Sequence, residues 1–174
     1  MNTRNFTRIL VGWDGSPGAA DSLAAACRLA TGPSEVLALA VVPSYAQVEA
    51  AEERDEAIAE IKVPLQRRYE QVRATLPATP RVSLEFLEGD QVAEALLDYS
   101  LQHGYELLVL GLHGNEGEIH RRLGHVASHV VKAGCCPVLL MPTEAGASRP
   151  SELARSGVRR SLLHFGRREK AGLS

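Results

Sequence analysis

Apolar residues gather in five short runs along the chain: "RILVGW" (Arg8–Trp13), "VLALAVV" (Val36–Val42), "VSLEFL" (Val82–Leu87), "ELLVLG" (Glu106–Gly111) and "PVLLMP" (Pro137–Pro142). Four of them are almost continuously apolar, as strands covered on both faces must be. The third alternates and reads as an edge strand. Helical stretches lie between the runs. In "SPGAADSLAAACRLAT", Ser16 is a natural N-cap and Pro17 suits the first helical position. In "QVEAAEERDEAIAEIK" the helical pattern meets Pro64, which should kink or split it before it resumes as "LQRRYEQVRATL". Asp90 is the expected N-cap of "DQVAEALLDYSLQHG" and Gly104 its stop, and "HVASHVVKAG" closes the series. Strand–helix alternation of this kind predicts an α/β, Rossmann-like fold: a parallel sheet with right-handed crossovers and helices on both faces.

Such sheets bind ligands beyond the carboxyl ends of their strands, where the strand order reverses. That nominates the loops after "RILVGW" and "LLVLG", each with glycine at the strand exit. In the second, Gly111-Leu112-His113-Gly114 is followed by nine residues and then by Gly124 at a helix start. Glycines let the backbone approach an anion with no Cβ in the way. A helix N-terminus adds unpaired N–H groups and partial positive charge. His120, Arg121 and Arg122 of the intervening "NEGEIHRRL" supply cations that could close over a phosphate. The competing reading is a long turn that merely uses glycine. Neither a Walker A sequence nor the dinucleotide GxGxxG is present.

These motifs, in this order, resemble the universal stress protein family, whose nucleotide-binding branch carries G-x-x-G, nine residues, then Gly-Ser or Gly-Thr. The opening "ILVGWDGSPGA" and the closing "CCPVLLMP" are similar to the family's first and last strands. The resemblance implies a five-stranded parallel sheet of order 3-2-1-4-5 that pairs with a second copy through its last strand, here Pro137–Pro142. It implies an adenine nucleotide as ligand: ATP first, with AMP and cyclic AMP as alternatives. Asp14 and Val41 would hold the adenosine, beside Gly12 and Trp13 at the first strand's exit. Gly111, Leu112, His113 and Gly114, with Gly124, His125, Val126 and Ala127, would hold the phosphates. His125 stands where the family has serine or threonine, and Glu116 and Glu118 put carboxylates inside the loop. Trp13 either stacks on the base or fills its place. The loop Asn115–Leu123 would order on binding as a lid.

Composition narrows the picture further. With 174 residues, 45% hydrophobic and 23% charged, the chain suits one globular domain with an appendage, and aromatics at 5% leave an aliphatic core. From Ala145 to Ser174 there are seven Lys/Arg against two Glu, whereas the rest holds twelve basic against nineteen acidic residues. The expected division is an α/β domain over 1–144 and a basic C-terminal extension over 145–174. Leu153, Val158, Leu162 and Phe165 approximate a helical stripe there, suited to docking on this chain, its dimer partner or another protein. The tail has no aromatic platform for nucleic acid. No run approaches membrane-spanning length, and the first residues show no secretory pattern, so a cytoplasmic protein is expected. Cys27, Cys135 and Cys136 have no metal-type spacing and read as buried reduced thiols. His125 and His129, four apart, lack a third metal ligand, and no catalytic constellation emerges. The leading expectation is therefore a regulatory, nucleotide-binding dimer rather than an enzyme. A dimeric interaction module that binds no nucleotide and a weak ATPase are the alternatives.

Overall fold

The structure, a computed structural model, describes residues 6–46, 48, 50–112 and 123–142. His113, Gly114, Glu116, Glu118, His120, Arg121, Arg122 and the extension 145–174 lie outside the described residues. The elements alternate as β1 (Phe6–Gly12), α1 (Pro17–Leu29), β2 (Ala30–Val42), α2 (Ala51–Arg73), β3 (Arg81–Glu88), α3 (Val92–Gln102), β4 (Leu107–Gly111), α4 (His125–Ala133) and β5 (Val138–Met141). All four strand pairings are parallel and the order is β3-β2-β1-β4-β5, as expected. The alternating run is indeed an edge.

Strand parity sorts the core into two halves. Ile9, Val11, Val36, Ala38, Ala40 and Val109 pack with Ala19, Leu23 and Ala26 of α1 and with Tyr69 of α2. Leu10, Leu37, Leu39, Leu108 and Leu110 turn the other way, onto Ala93, Leu96 and Leu97 of α3 and Val130 of α4. Helices thus cover both faces. Their ends follow local chemistry: Ser16 Oγ accepts from the Ala19 amide at 3.1 Å, with Pro17 just inside. Gly104 and Gly134, at φ +65° and +64°, take the left-handed conformation that stops α3 and α4.

Three expectations are corrected. Helix α2 runs unbroken from Ala51 to Arg73 with Pro64 inside it. Pro64 and Glu60 are both exposed, so water can satisfy the Glu60 carbonyl that proline deprives of its N–H. Asp90 does not cap α3: the cap position is Gln91, with no side-chain bond. Asp90 instead accepts from the Ser44 amide at 3.1 Å and from Ser44 Oγ at 3.0 Å, tying the exits of β2 and β3 together. Of the three cysteines only Cys27 is buried; Cys136 is half-buried and Cys135 exposed.

At the amino ends of the strands, Glu106 Oε2 accepts from the Thr7 amide at 2.6 Å and the Arg8 amide at 3.2 Å. These backbone donors hold its carboxyl below the ordinary value of 4.5. A lowered carboxylate contributes stability above its unfolded-state pKa and loses it as pH falls through the folded one. Glu106→Gln should therefore be less stable than wild type at pH 7, and the gap should close below about pH 4. Solvent screening keeps it to about 0.2–1 kcal/mol. Urea denaturation at pH 7 and pH 3 measures it; an equal gap at both would contradict the assignment.

Candidate functional site

The sheet's order reverses between β1 and β4, and the crevice expected there is built from the exits of β1, β2 and β4 and the start of α4. At the β1 exit, the Trp13 amide donates to the Leu39 carbonyl at 2.9 Å. The chain then turns through Asp14, Gly15 and Ser16. Asp14 Oδ1 accepts from the Ser16 amide at 2.9 Å, which fixes the exposed carboxylate over the turn. Gly15 is at φ +73°, and a Cβ there would lie 3.1 Å from Leu65 Cδ2 of α2. Both the conformation and the space favour glycine.

Of two residues proposed for this exit, Trp13 belongs to the core and Gly12 is half-buried against it. A Cβ on Gly12 would stand 2.5 Å from Leu110 Cδ2 and 3.4 Å from Leu96 Cδ1. The room left by its missing side chain is filled by leucine. Trp13 is 3% exposed, its Nε1 donates to the Leu65 carbonyl at 3.2 Å, and its ring meets Tyr69 edge-on at 6.0 Å. It packs in the half of the core that carries α1 and α2, whereas Val41 packs with Leu87 in the half that carries α3 and α4. The indole is thus not placed to stack on a base beside Val41, nor does it fill that place.

At the β2 exit Val41 is half-buried. Gly89, just past β3, donates its amide to the Val42 carbonyl at 2.9 Å, and a Cβ there would sit 3.6 Å from Val41 Cγ1. Gly89 and the Ser44–Asp90 tie therefore shape the wall beside Val41. Sequence reasoning missed both, although a glycine at a third strand exit was the available signal.

The β4 exit is partly used by the protein itself. Gly111 pairs with Met141 of β5, and the Leu112 amide donates to the Met141 carbonyl at 2.8 Å. The Gly124 amide donates to the Leu112 carbonyl at 2.9 Å, which staples the two ends of the glycine loop. The Leu112 and Gly124 amides were both expected to face phosphate; both are consumed within the protein.

The start of α4 is different. No side chain caps it. Among the described residues, the amides of His125, Val126 and Ala127 form no hydrogen bond. Three N–H groups at a helix N-terminus, with its partial positive charge, make a short anion cradle. Ala127 is buried and Val126 packs against the core, so both amides sit on a firm base. The His125 side chain is exposed and lies along the outer face of α4 with Ser128, His129 and Lys132. Among the described residues no group of three or more His, Cys, Asp or Glu could hold a metal ion, and no helix is long and apolar enough to cross a membrane.

Comparison with known proteins agrees with this architecture. The model of a family described as the universal stress protein family matches residues 5–142. No curated protein sequence matches the chain. Among solved structures, the universal stress protein UspA from Lactobacillus plantarum is 29% identical, with a TM-score of 0.61 over 79% of this chain and 99% of that one. A universal stress protein in complex with cAMP is 19% identical, with a TM-score of 0.59 over 81% of this chain and 100% of that one. A family protein from Arabidopsis thaliana with AMP bound is 14% identical, with a TM-score of 0.50 over 84% and 99%.

Proposed function

Because the chain belongs to the universal stress protein family, we propose that it binds an adenine nucleotide as a regulatory ligand, with ATP first and AMP or cyclic AMP as alternatives. The observation that carries this reading is the set of unbonded amides at His125, Val126 and Ala127, next to the β4 exit. They suit a phosphate. Asp14 offers a carboxylate for ribose hydroxyls at the β1 exit, and half-buried Val41 offers an apolar flank for a purine. Gly111, with His113 and Gly114 of the glycine loop, completes the proposed phosphate side. Structures of the same fold that hold cAMP and AMP support the ligand class. The nucleotide's role is regulatory, in a cytoplasmic stress response. Binding raises the stability of the folded state by mass action and so alters which surfaces are presented to partners.

The chain acts as a homodimer through the outer edge of β5, which ends the sheet among the described residues. That strand closes the sheet at Val138–Met141 with every side chain half-buried, an edge suited to strand pairing with a second copy. The basic tail engages a protein partner. Light scattering should give twice the 18.8 kDa chain mass; a monomer mass removes the dimer.

Thermal-shift and calorimetric titration of ligand-stripped protein with ATP, ADP, AMP and cyclic AMP tests the ligand. At a hundredfold excess over Kd a genuine ligand stabilises by about 2.7 kcal/mol, and melting should rise saturably. Saturable binding of none of the four leaves a dimeric interaction module, and Mg²⁺-dependent phosphate release would bring back the weak ATPase.

A further inference from the structure

We propose that Cys135 and Cys136 form a reversible thiol–disulfide site: a peroxide oxidises exposed Cys135, and Cys136, supported by the Ser100 hydroxyl, closes on it. The two cysteines lie in the bend between α4 and β5, outside both elements. Along a strand, neighbouring side chains are forced onto opposite faces. In a bend they are not. Cys135 is exposed, and its Sγ donates to the Ala133 carbonyl at 3.4 Å, which holds the thiol at the surface. Cys136 is half-buried and packs against the half of the core that holds Leu97 of α3 and Val130 of α4. One sulfur therefore meets solvent while its neighbour is partly turned to the core.

Ser100 supplies the second observation. Its Oγ, fully buried on α3, is the one buried side-chain oxygen or nitrogen among the described residues without a well-formed hydrogen bond. The Cys136 sulfur is within that hydroxyl's reach. A neutral thiol is a weak acceptor and a thiolate a strong one, so the hydroxyl gains a true partner only when Cys136 ionises. Burial pushes the Cys136 thiol above its ordinary value of 9.0, Ser100 pulls it back, and Cys135, once charged, pushes it up again. In the first step the Cys135 thiolate attacks the peroxide. An S–O bond forms, the O–O bond breaks, and the leaving hydroxide takes up the proton that the thiol released. The Cys136 thiolate then attacks the Cys135 sulfur: the S–S bond forms, the S–O bond breaks, and a second water leaves. The thiols lose two electrons and the peroxide gains them. Adjacent Cα atoms stand about 3.8 Å apart, nearer than the roughly 4.4–6.8 Å of ordinary disulfides, so the cross-link is strained and thiols reduce it readily. Gly134, with nothing within 4 Å of a Cβ position, leaves the bend room to adjust.

Treating the reduced full chain with hydrogen peroxide, followed by thiol alkylation and mass spectrometry, tests this. The peptide bearing both residues should lose two hydrogens, resist alkylation and regain it after dithiothreitol, while buried Cys27 stays a thiol. Cys136→Ser should stop at a Cys135 sulfenic acid, captured by dimedone. Ser100→Ala removes a hydroxyl that lacks a well-formed bond, so it should keep the fold, which its melting temperature verifies. Its disulfide should close roughly threefold more slowly at pH 7, because less thiolate forms and its greater nucleophilicity offsets only part of the loss. The deficit should vanish at a pH where Cys136 is fully ionised, whereas a merely structural serine would slow closure equally at every pH. A disulfide between chains on a non-reducing gel, a wild type that stops at the sulfenic acid, or a Ser100→Ala variant with no deficit or one that ignores pH would overturn the proposal.

Discussion

Replacing His125 with proline should weaken adenine-nucleotide binding by roughly 10- to 100-fold while leaving the melting temperature within about a degree of wild type. The fold-change corresponds to about 1.5–3 kcal/mol, the scale of one hydrogen bond to a charged acceptor. His125 is the first residue of α4, where proline is tolerated because the N–H it lacks has no partner inside the helix. The residue before a proline must be extended, and Gly124 already stands at φ −56° and ψ 158°. Thus the substitution removes one donor from the cradle and little else. His125→Ala is the control: it deletes the imidazole and keeps the amide. For AMP it should bind almost as wild type does, because the side chain lies on the outer face. A proline variant that binds as well as wild type would mean that phosphate is held elsewhere. An alanine variant as weak as the proline one would give the role to the ring.

Chemistry set by immediate neighbours is legible in the sequence, and chemistry set by distant strands is not. Ser16-Pro17 announced a helix start and Gly104 a helix stop because cap chemistry depends only on immediate neighbours. The strands were legible because a buried parallel strand must be apolar on both faces. Asp90 has the residue type of a cap, yet the same carboxylate accepts from Ser44 across two strand exits, and only the β2–β3 register brings Ser44 within reach. Pro64 obeyed a local rule that exposure relaxed.

The donors at the anion cradle show the limit most plainly. Whether an amide near a glycine loop is free depends on every other acceptor that reaches it. The Leu112 amide is taken by Met141, which arrives on β5, the last strand. The Gly124 amide is taken by Leu112 itself. Spacing placed the start of the helix correctly but could not divide the amides into used and unused. The division matters chemically, because among the described residues the amides left without a partner are those of the first turn of α4.

Trp13 carries the other large effect. Trp13→Ala should lose about 3–5 kcal/mol of stability, lowering the melting temperature by roughly 10–15 °C for a chain of this size. It removes the indole that meets Tyr69 and donates to the Leu65 carbonyl, and leaves a cavity between β1 and α2. Trp13→Phe keeps most of the apolar volume and loses the N–H, so about 1–2 kcal/mol is expected. Affinity decides between a core and a stacking residue. A stacked indole would cost binding when truncated and little stability, with the phenylalanine variant partly restored in affinity. The packed indole reverses this: Trp13→Phe should bind nucleotide within about threefold of wild type, less than 1 kcal/mol of difference, while melting early. Trp13 is the chain's single tryptophan, so its fluorescence reports the same point directly. Emission should be that of a dry indole and should barely respond to saturating nucleotide, whereas quenching on binding would put a base against the ring and return Trp13 to the site.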